Sequence, residues 1–330
     1  MTSNKMKAII YTKYGSPDVL QFTDVAKPVP KDNEVLVKVV AASANAADWR
    51  MVRAEPFLVR LYAGLLKPTK YNILGADIAG RVEAVGKDVK QFKAGDEVFG
   101  DIFASGWGGF AEYVCTGEKE LALKPANIFF EEAAAVPLAA LTALHGLRDK
   151  GKIRPEQKVL INGASGGVGT FAVQIAKSFG AEVTAVCSTG NVDMARSIGA
   201  DHVIDYTKED FTKNGLRYDL ILGVNGYHSI FDYRRALNPG GIYVMTGGGT
   251  AQLFQSLILG PWVSMIGNKS MGSLTSKPNQ KDMVFLKELL EAGKVKPVID
   301  RRYPLHEVPE ALRYLEKGHA KGKVVITVAS

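Results

Sequence analysis

Cysteine is almost missing from this sequence: Cys115 and Cys187 are the only two among 330 residues. Two thiols cannot build a four-cysteine zinc cluster or a disulfide framework, and they fit a reducing, cytoplasmic compartment. No long hydrophobic run occurs either. The longest, residues 256–267, is interrupted by Pro261 and falls well short of the ~20 apolar residues that span a bilayer. The amino-terminal stretch has no apolar segment of the kind a signal peptide carries. Like charges do not cluster: 41 Lys and Arg against 34 Asp and Glu give a net charge of +7, spread along the chain. There is no basic tail and no basic–aromatic interleaving, so a nucleic-acid partner is not expected. A mild positive bias is compatible with an anionic small molecule such as a phosphorylated cofactor. With 46% hydrophobic and 23% charged residues, the chain is neither disordered nor fibrous. Its length, beyond what one core usually serves, points to two domains.

What is present changes character along the chain. Up to about residue 125 the sequence reads as short β-runs, Lys7–Tyr11, Glu34–Ala41, Ile78–Val85 and Glu97–Gly100, punctuated by Gly75, Gly80, Gly86, Gly95 and Gly100, as in a small barrel. Residues 53–67 break the pattern, with Phe57, Leu58, Leu61 and Leu65 at helical spacing. From about residue 130 strands and helices alternate. Strands are read at Lys158–Asn162, Glu182–Cys187, His202–Asp205, Asp219–Val224 and Gly241–Thr246 and helices at Val168–Phe179, Val192–Ile198 and Ser229–Leu237. Such alternation calls for right-handed crossovers and a parallel sheet. A last strand (Ser270–Leu274), an amphipathic helix (Gln280–Ala292) and a β-like end (Lys323–Val328) follow.

The sharpest motif is Gly163-Ala-Ser165-Gly166-Gly167-Val168-Gly169, between the first strand of the alternating series and its helix. Small residues there allow a tight turn, let the backbone approach a pyrophosphate, and let helix and strand pack closely. The N–H groups opening the helix would then hold the phosphates. The second strand ends in Cys187-Ser188-Thr189-Gly190-Asn191, without the carboxylate that would bind the ribose 2′-hydroxyl of NAD. NADP(H) is therefore expected over NAD(H), although no Lys or Arg lies in that turn to pair with the 2′-phosphate. Arg196, one helical turn on, or a more distant Lys would have to substitute.

At these residues the chain resembles the medium-chain dehydrogenase/reductase superfamily, in its zinc-free quinone oxidoreductase branch. The resemblance runs through Gly15-x-Pro17, Glu34-Val-Leu-Val-Lys-Val39, Asn45-x-x-Asp48, Leu74-Gly-x-Asp77-x-Ala-Gly80, Gly95-Asp96, Leu141-Thr142-Ala143 and the glycine-rich turn, and covers essentially the whole sequence. It implies an α/β fold of two domains. A GroES-like β-barrel domain (1–126, completed by 276–330) would flank a Rossmann-type doubly wound sheet (127–275), with the active site in the cleft and a homodimer as the assembly. It further implies a cytoplasmic NADPH-dependent oxidoreductase that passes hydride to a quinone or to the C=C of an enone. Zinc-dependent relatives carry Cys near the present Asn45 and Gly-His-Glu in the segment of Leu74–Asp77. Neither thiolate nor imidazole stands there, and no two of the five histidines share a helix face, so no metal is expected.

The resemblance (for Asn45, Thr142, Tyr206 and Lys323) and the positions of the others in the two turns, at strand ends and on an apolar face give the candidate residues. Asn45 would face the nicotinamide ribose and substrate, though it reads equally well as a cap of the following helix; Asp48 would orient backbone. Cofactor contacts are expected from Asn45, Thr142, Gly163, Ser165, Gly166, Gly167, Val168, Ser188, Thr189, Asn191, Tyr206, Asn225, Gly226, Thr246, Gly247, Gly248 and Lys323. Phe57, Leu58, Tyr62 and Trp262 would line an apolar acceptor pocket or else belong to the core. Tyr62, or solvent in its place, would donate the proton. A non-catalytic NADPH-binding redox sensor on the same fold is the competing function, since fold alone does not entail catalysis.

Overall fold

The computed structural model describes residues 5–69, 72–249, 252, 254–265 and 268–328. Residues 1–4 of the amino-terminal stretch and 266–267 of the apolar run lie outside them. The chain divides into two compact units, one of residues 1–138, 278–291 and 299–330, the other of residues 139–277 and 292–298. No helix among the described residues is long and apolar enough to cross a membrane.

The first unit is β-rich. Strands β1 (Lys5–Ile10) and β2 (Gln21–Ala26) form a hairpin-like antiparallel pair. The main sheet contains β3 (Glu34–Ala44), β4 (Asp77–Val85), β5 (Glu97–Asp101), β6 (Tyr113–Gly117) and β7 (Leu121–Leu123). In the second unit lie β8 (Lys158–Asn162), β9 (Glu182–Cys187), β10 (His202–Asp205), β11 (Tyr218–Gly223), β12 (Leu237–Met245) and β13 (Ser270–Ser273). The chain then returns to the first unit with β14 (Ile299–Pro304) and β15 (Lys323–Thr327). There the sheet order is β14-β15-β3-β4-β5-β7, with β6 also paired to β3. Long β3 is buried over most of its length because Val35, Val37, Val39, Ala42 and Ala44 feed one apolar core with Ile78, Val82, Val98 and Val324.

The helical reading of residues 53–67 needs correction. A helix does occur, but at Ala46–Arg53, and it stops where Ala54 turns left-handed at φ 54°. Pro56, which has no N–H to continue a helix, separates it from a single short turn, Val59–Ala63. The side chains at the expected helical spacing do not form core, Phe57, Leu58 and Leu61 being 65%, 68% and 70% exposed, whereas Ala63 is buried and Val59 packs against the core.

The second unit is a six-stranded sheet in the order β10-β9-β8-β11-β12-β13, with every neighbouring pair parallel. Counted within the unit this is 3-2-1-4-5-6, the doubly wound order whose crevice opens at the carboxyl ends of the strands beside the first. Continuous apolar strands such as β8 (Val159, Leu160, Ile161) and β11 (Leu220, Ile221, Leu222) are buried on both faces, as covered parallel strands must be.

Candidate functional site

The carboxyl ends of β8, β9, β11 and β12 are tied together by backbone bonds. Gly163 and Ala164 donate to the Val186 carbonyl, Val224 and Asn225 donate to that of Asn162, and Thr246 donates to that of Gly223. The structure therefore gathers Gly163, Asn225, Gly226, Thr246 and Gly247 along one edge of the sheet. Thr142, also in the second unit, lies in the helix Pro137–Leu144. Gly248 follows β12 at φ 123°.

The three glycines of the turn have different reasons to be glycine. Gly163 has φ 87°, a conformation that costs other residues energy, and a Cβ there would stand 2.7 Å from the Asn225 nitrogen. A Cβ on Gly169 would come within 2.2 Å of the Gly163 carbonyl oxygen, so this glycine lets the helix Gly167–Ser178 sit against the turn. Gly166, the residue before that helix, has an ordinary φ of −83°. A Cβ added to it would meet nothing nearer than the Gly163 oxygen at 3.9 Å. Neither the backbone nor the packing of the chain requires glycine there. A pyrophosphate lying on the helix's opening N–H groups would.

Beyond β9, Ser188 to Asn191 form a tight turn. Asn191 donates to the Ser188 hydroxyl at 3.0 Å, and its own buried Oδ1 has no partner among the described residues. A buried acceptor left open in this way fits a ligand donor such as a ribose hydroxyl. The cradle at Gly166 and this orphaned oxygen both match a dinucleotide. Tyr206, exposed, follows β10 and ties its backbone N–H to the Cys187 carbonyl. The Cys187 thiol is buried, and burial pushes its pKa up, which makes it packing rather than a nucleophile.

The first unit holds a buried polar cluster assembled by strand register. Ser43 on β3 pairs with Asp77 on β4, and Asp77 pairs with Asp101 on β5, while Lys323 opens β15, whose next residue pairs with Ala44. One oxygen of Asp77 accepts from the Ser43 hydroxyl (2.6 Å), the Asn45 amide (2.9 Å) and the Lys323 ammonium (3.2 Å). The other accepts the Leu138 N–H at 2.8 Å. Lys323 also donates to Asn45 Oδ1 at 2.6 Å. Lys323 is buried rather than solvated. Asn45 is the residue that precedes the helix Ala46–Arg53, and its amide hydrogens go to Asp77 and the Ser43 carbonyl. Asn45 therefore stands at the helix N-terminus in a capping box with Asp48 while its side chain is held in the buried cluster. Asp48 accepts the N–H groups of Asn45 and Gly75, an anchoring role.

Burial raises the Asp48 carboxyl to about 7, and burial followed by the Asp77 charge raises that of Asp101 to about 7. In the unfolded chain both return to the ordinary carboxylate range near 4. Their contribution to stability is therefore full below about pH 4 and lost as pH rises through 7. Asp101→Asn keeps an acceptor for the Phe103 N–H, which Asp101 holds at 2.9 Å. We expect the wild type to lose stability between pH 5 and pH 8 in urea titrations. The variant should flatten that loss by about 3 kcal/mol; parallel curves would refute the buried-carboxyl account.

The expected pocket residues lie on the surface of their own units: Tyr62 is 45% and Trp262 73% exposed. Phe57, Leu58 and Tyr62 are in the first unit, Trp262 in the second. Asp101 had no signal in the sequence, since nothing local distinguishes it from any other strand-end aspartate.

The second unit, a doubly wound parallel sheet with a turn suited to a phosphate, and the first, β-rich with a buried Lys–Asp pair, fit the class of nicotinamide-dependent oxidoreductases. Family comparison places it more closely. A model of the alcohol dehydrogenase GroES-like domain matches residues 31–126, and one described as zinc-binding dehydrogenase matches residues 198–326. The chain is 39% identical to a 2-methylene-furan-3-one reductase of Solanum lycopersicum, over 98% of this chain and 79% of that one. It is 35% identical to a chloroplastic NADPH-dependent alkenal/one oxidoreductase of Arabidopsis thaliana, with the same coverage of 98% and 79%. The structure of a quinone oxidoreductase from Coxiella burnetii superposes with a TM-score of 0.86 at 30% identity, covering 98% of this chain and 99% of that one. The chain belongs to the medium-chain dehydrogenase/reductase superfamily.

Proposed function

We propose that the protein is a zinc-independent reductase that takes hydride from NADPH and delivers it to a quinone or to the β-carbon of an enone, as a cytoplasmic homodimer. The observation that carries this reading is Gly166, which precedes a helix in a turn where neither backbone nor packing asks for glycine, as a pyrophosphate on the opening N–H groups would. The names of the relatives support the acceptor class.

NADPH supplies the hydride from C4 of its nicotinamide ring. The chain's own residues do the rest. Gly163, Ser165, Gly166, Gly167 and Val168 would hold the pyrophosphate, Ser188, Thr189, Asn191 and Tyr206 the adenosine ribose, and Thr142, Asn225, Gly226 and Thr246–Gly248 the nicotinamide half. Asn45 and Lys323 would face the reacting end. Quinones and enones are electrophilic before they bind, so proximity and a donor for the developing enolate suffice without a Lewis acid. Phe57, Leu58, Tyr62 and Trp262 would supply apolar surface. A proton from Tyr62 or solvent completes the reduction. Zinc independence rests on the residues at hand: Asn45 and the segment Leu74–Asp77 offer neither thiolate nor imidazole, and the Lys323 ammonium already sits on Asn45 and Asp77.

The test is NADPH consumption, with NADH in parallel, against an ortho-quinone and a medium-chain enone, with product analysis and with a chelator added. We expect one or both acceptors to be reduced at a rate the chelator does not change. Inhibition by chelation would overturn the metal-free assignment. Tight NADPH binding with neither acceptor consumed would favour a redox sensor instead.

A further inference from the structure

The turn after β9 contains no acid, but the structure brings one to it from the next strand. Asp205 ends β10 and pairs in register with Cys187, the last residue of β9. Its carboxylate, only 12% exposed, accepts the Thr189 hydroxyl at 2.6 Å and the Thr207 hydroxyl and N–H at 2.7 and 3.0 Å. The Thr189 hydroxyl, ahead of the other contacts, holds the Asp205 carboxyl down at about 2, so it is anionic at every working pH.

Two consequences follow for a ligand at this turn. A threonine hydroxyl has one hydrogen, and Thr189 gives its hydrogen to Asp205; toward a ligand it can only accept. Asn191 Oδ1, buried and open, also only accepts. A ribose 2′-hydroxyl, a donor, suits such a surface, whereas a 2′-phosphate brings acceptor oxygens and negative charge. Second, the cations close in sequence rest on carboxylates: Lys208 lies 3.4 Å from Asp205 and Arg196 lies 3.7 Å from Asp193, both cationic side chains more than half exposed.

We propose that Asp205 is a specificity-determining residue that holds down affinity for the cofactor's 2′-phosphate, by its own charge and by engaging Thr189 and Lys208, and so admits NADH beside NADPH. The proposal rests on the reading that the Ser188–Asn191 turn receives the adenosine ribose. Asp205→Asn removes the charge, keeps an acceptor for the Thr207 N–H, and frees Lys208 to meet a phosphate.

Equilibrium titration tests it without turnover, using adenosine 2′,5′-bisphosphate against adenosine 5′-monophosphate, and NADPH against NADH by nicotinamide fluorescence. In Asp205→Asn the 2′-phosphorylated member of each pair should tighten by roughly fivefold relative to the other, as loss of one partly screened like charge implies. Thr189→Val is a second variant that leaves Asp205 in place. This variant removes an acceptor for a ribose 2′-hydroxyl but no donor to a phosphate, so it should weaken adenosine 5′-monophosphate and NADH by about threefold relative to the 2′-phosphorylated member of each pair. Nucleotides that bind both Asp205→Asn and wild type with an unchanged ratio would overturn the assignment of Asp205 alone. So would loss of 2′-phosphate binding in Thr189→Val. A wild type that binds none of the four nucleotides would overturn the cofactor reading and this inference together.

Discussion

Replacing Gly166 by valine should cost at least about 100-fold in nicotinamide cofactor affinity while leaving the protein folded. The magnitude follows from losing two charge-assisted N–H contacts to the pyrophosphate, about 1.5–3 kcal/mol each. The fold should survive because the position has φ −83° and ψ 177°, which β-branched residues adopt readily, and because the space around it is open to 3.9 Å. Exchanging a fair helix cap for a poor one should cost about 1 kcal/mol and lower the melting temperature by no more than about 4 °C. Gly169→Ala, three residues on, should do the reverse: its methyl would press on the Gly163 oxygen and on Ala164, so the second unit should lose stability whether or not cofactor is present. Fluorescence titration and thermal melts on the two variants separate the cases. Unchanged NADPH affinity in Gly166→Val would remove the pyrophosphate from this turn.

The second large effect is expected at Lys323. It is buried, hydrogen-bonded to Asn45 and paired with Asp77, and Asp48 and Asp101 lie buried in the same unit. Lys323→Met removes the cation and leaves Asp77 without its counter-charge, which should destabilise the first unit by about 3–5 kcal/mol. Adding Asp77→Asn to Lys323→Met should recover part of that loss, because two neutral groups are cheaper to bury than one unpaired carboxylate. Denaturant unfolding of the two single variants and the double variant measures the coupling. A loss below about 1 kcal/mol in Lys323→Met would mean that water reaches Asp77 and that the pair is not sealed.

How much of this was legible beforehand depended on whether the signal was local. The parallel strands of the second unit are short apolar runs between glycines and helices, and all of them appear close to where their patterns place them. The glycine-rich turn was legible because its three demands fall on adjacent residues. β2 and β14 were not, because their residues stay largely at the surface (Gln21–Ala26 and Ile299–Pro304) and so leave no alternating apolar pattern to read. Residues 53–67 misled because apolar spacing suggested one long helix, whereas Pro56 splits the segment and its Phe and Leu side chains stay exposed. The site residues missed share one cause. Asp101 reaches Asp77, and Asp205 reaches Thr189, only through pairing between strands, so an inspection confined to the turn after the second strand finds no acid. Lys323 was singled out, but nothing around residue 323 announces that its partners are Asn45 and Asp77.

The position of β15 sets a timetable for the molecule as it is made. The parallel sheet of the second unit draws on one continuous stretch, Lys158 to Ser273, and can form as soon as that stretch has left the ribosome. β3, synthesised much earlier, waits for β15 to lie alongside it. Until then Asn45 and Asp77 have no ammonium to share, and the amino-terminal sheet keeps an open edge. A nascent chain of this protein would therefore expose sticky β-structure for the whole interval in which its second domain is being translated, which makes that interval the period when a chaperone matters most.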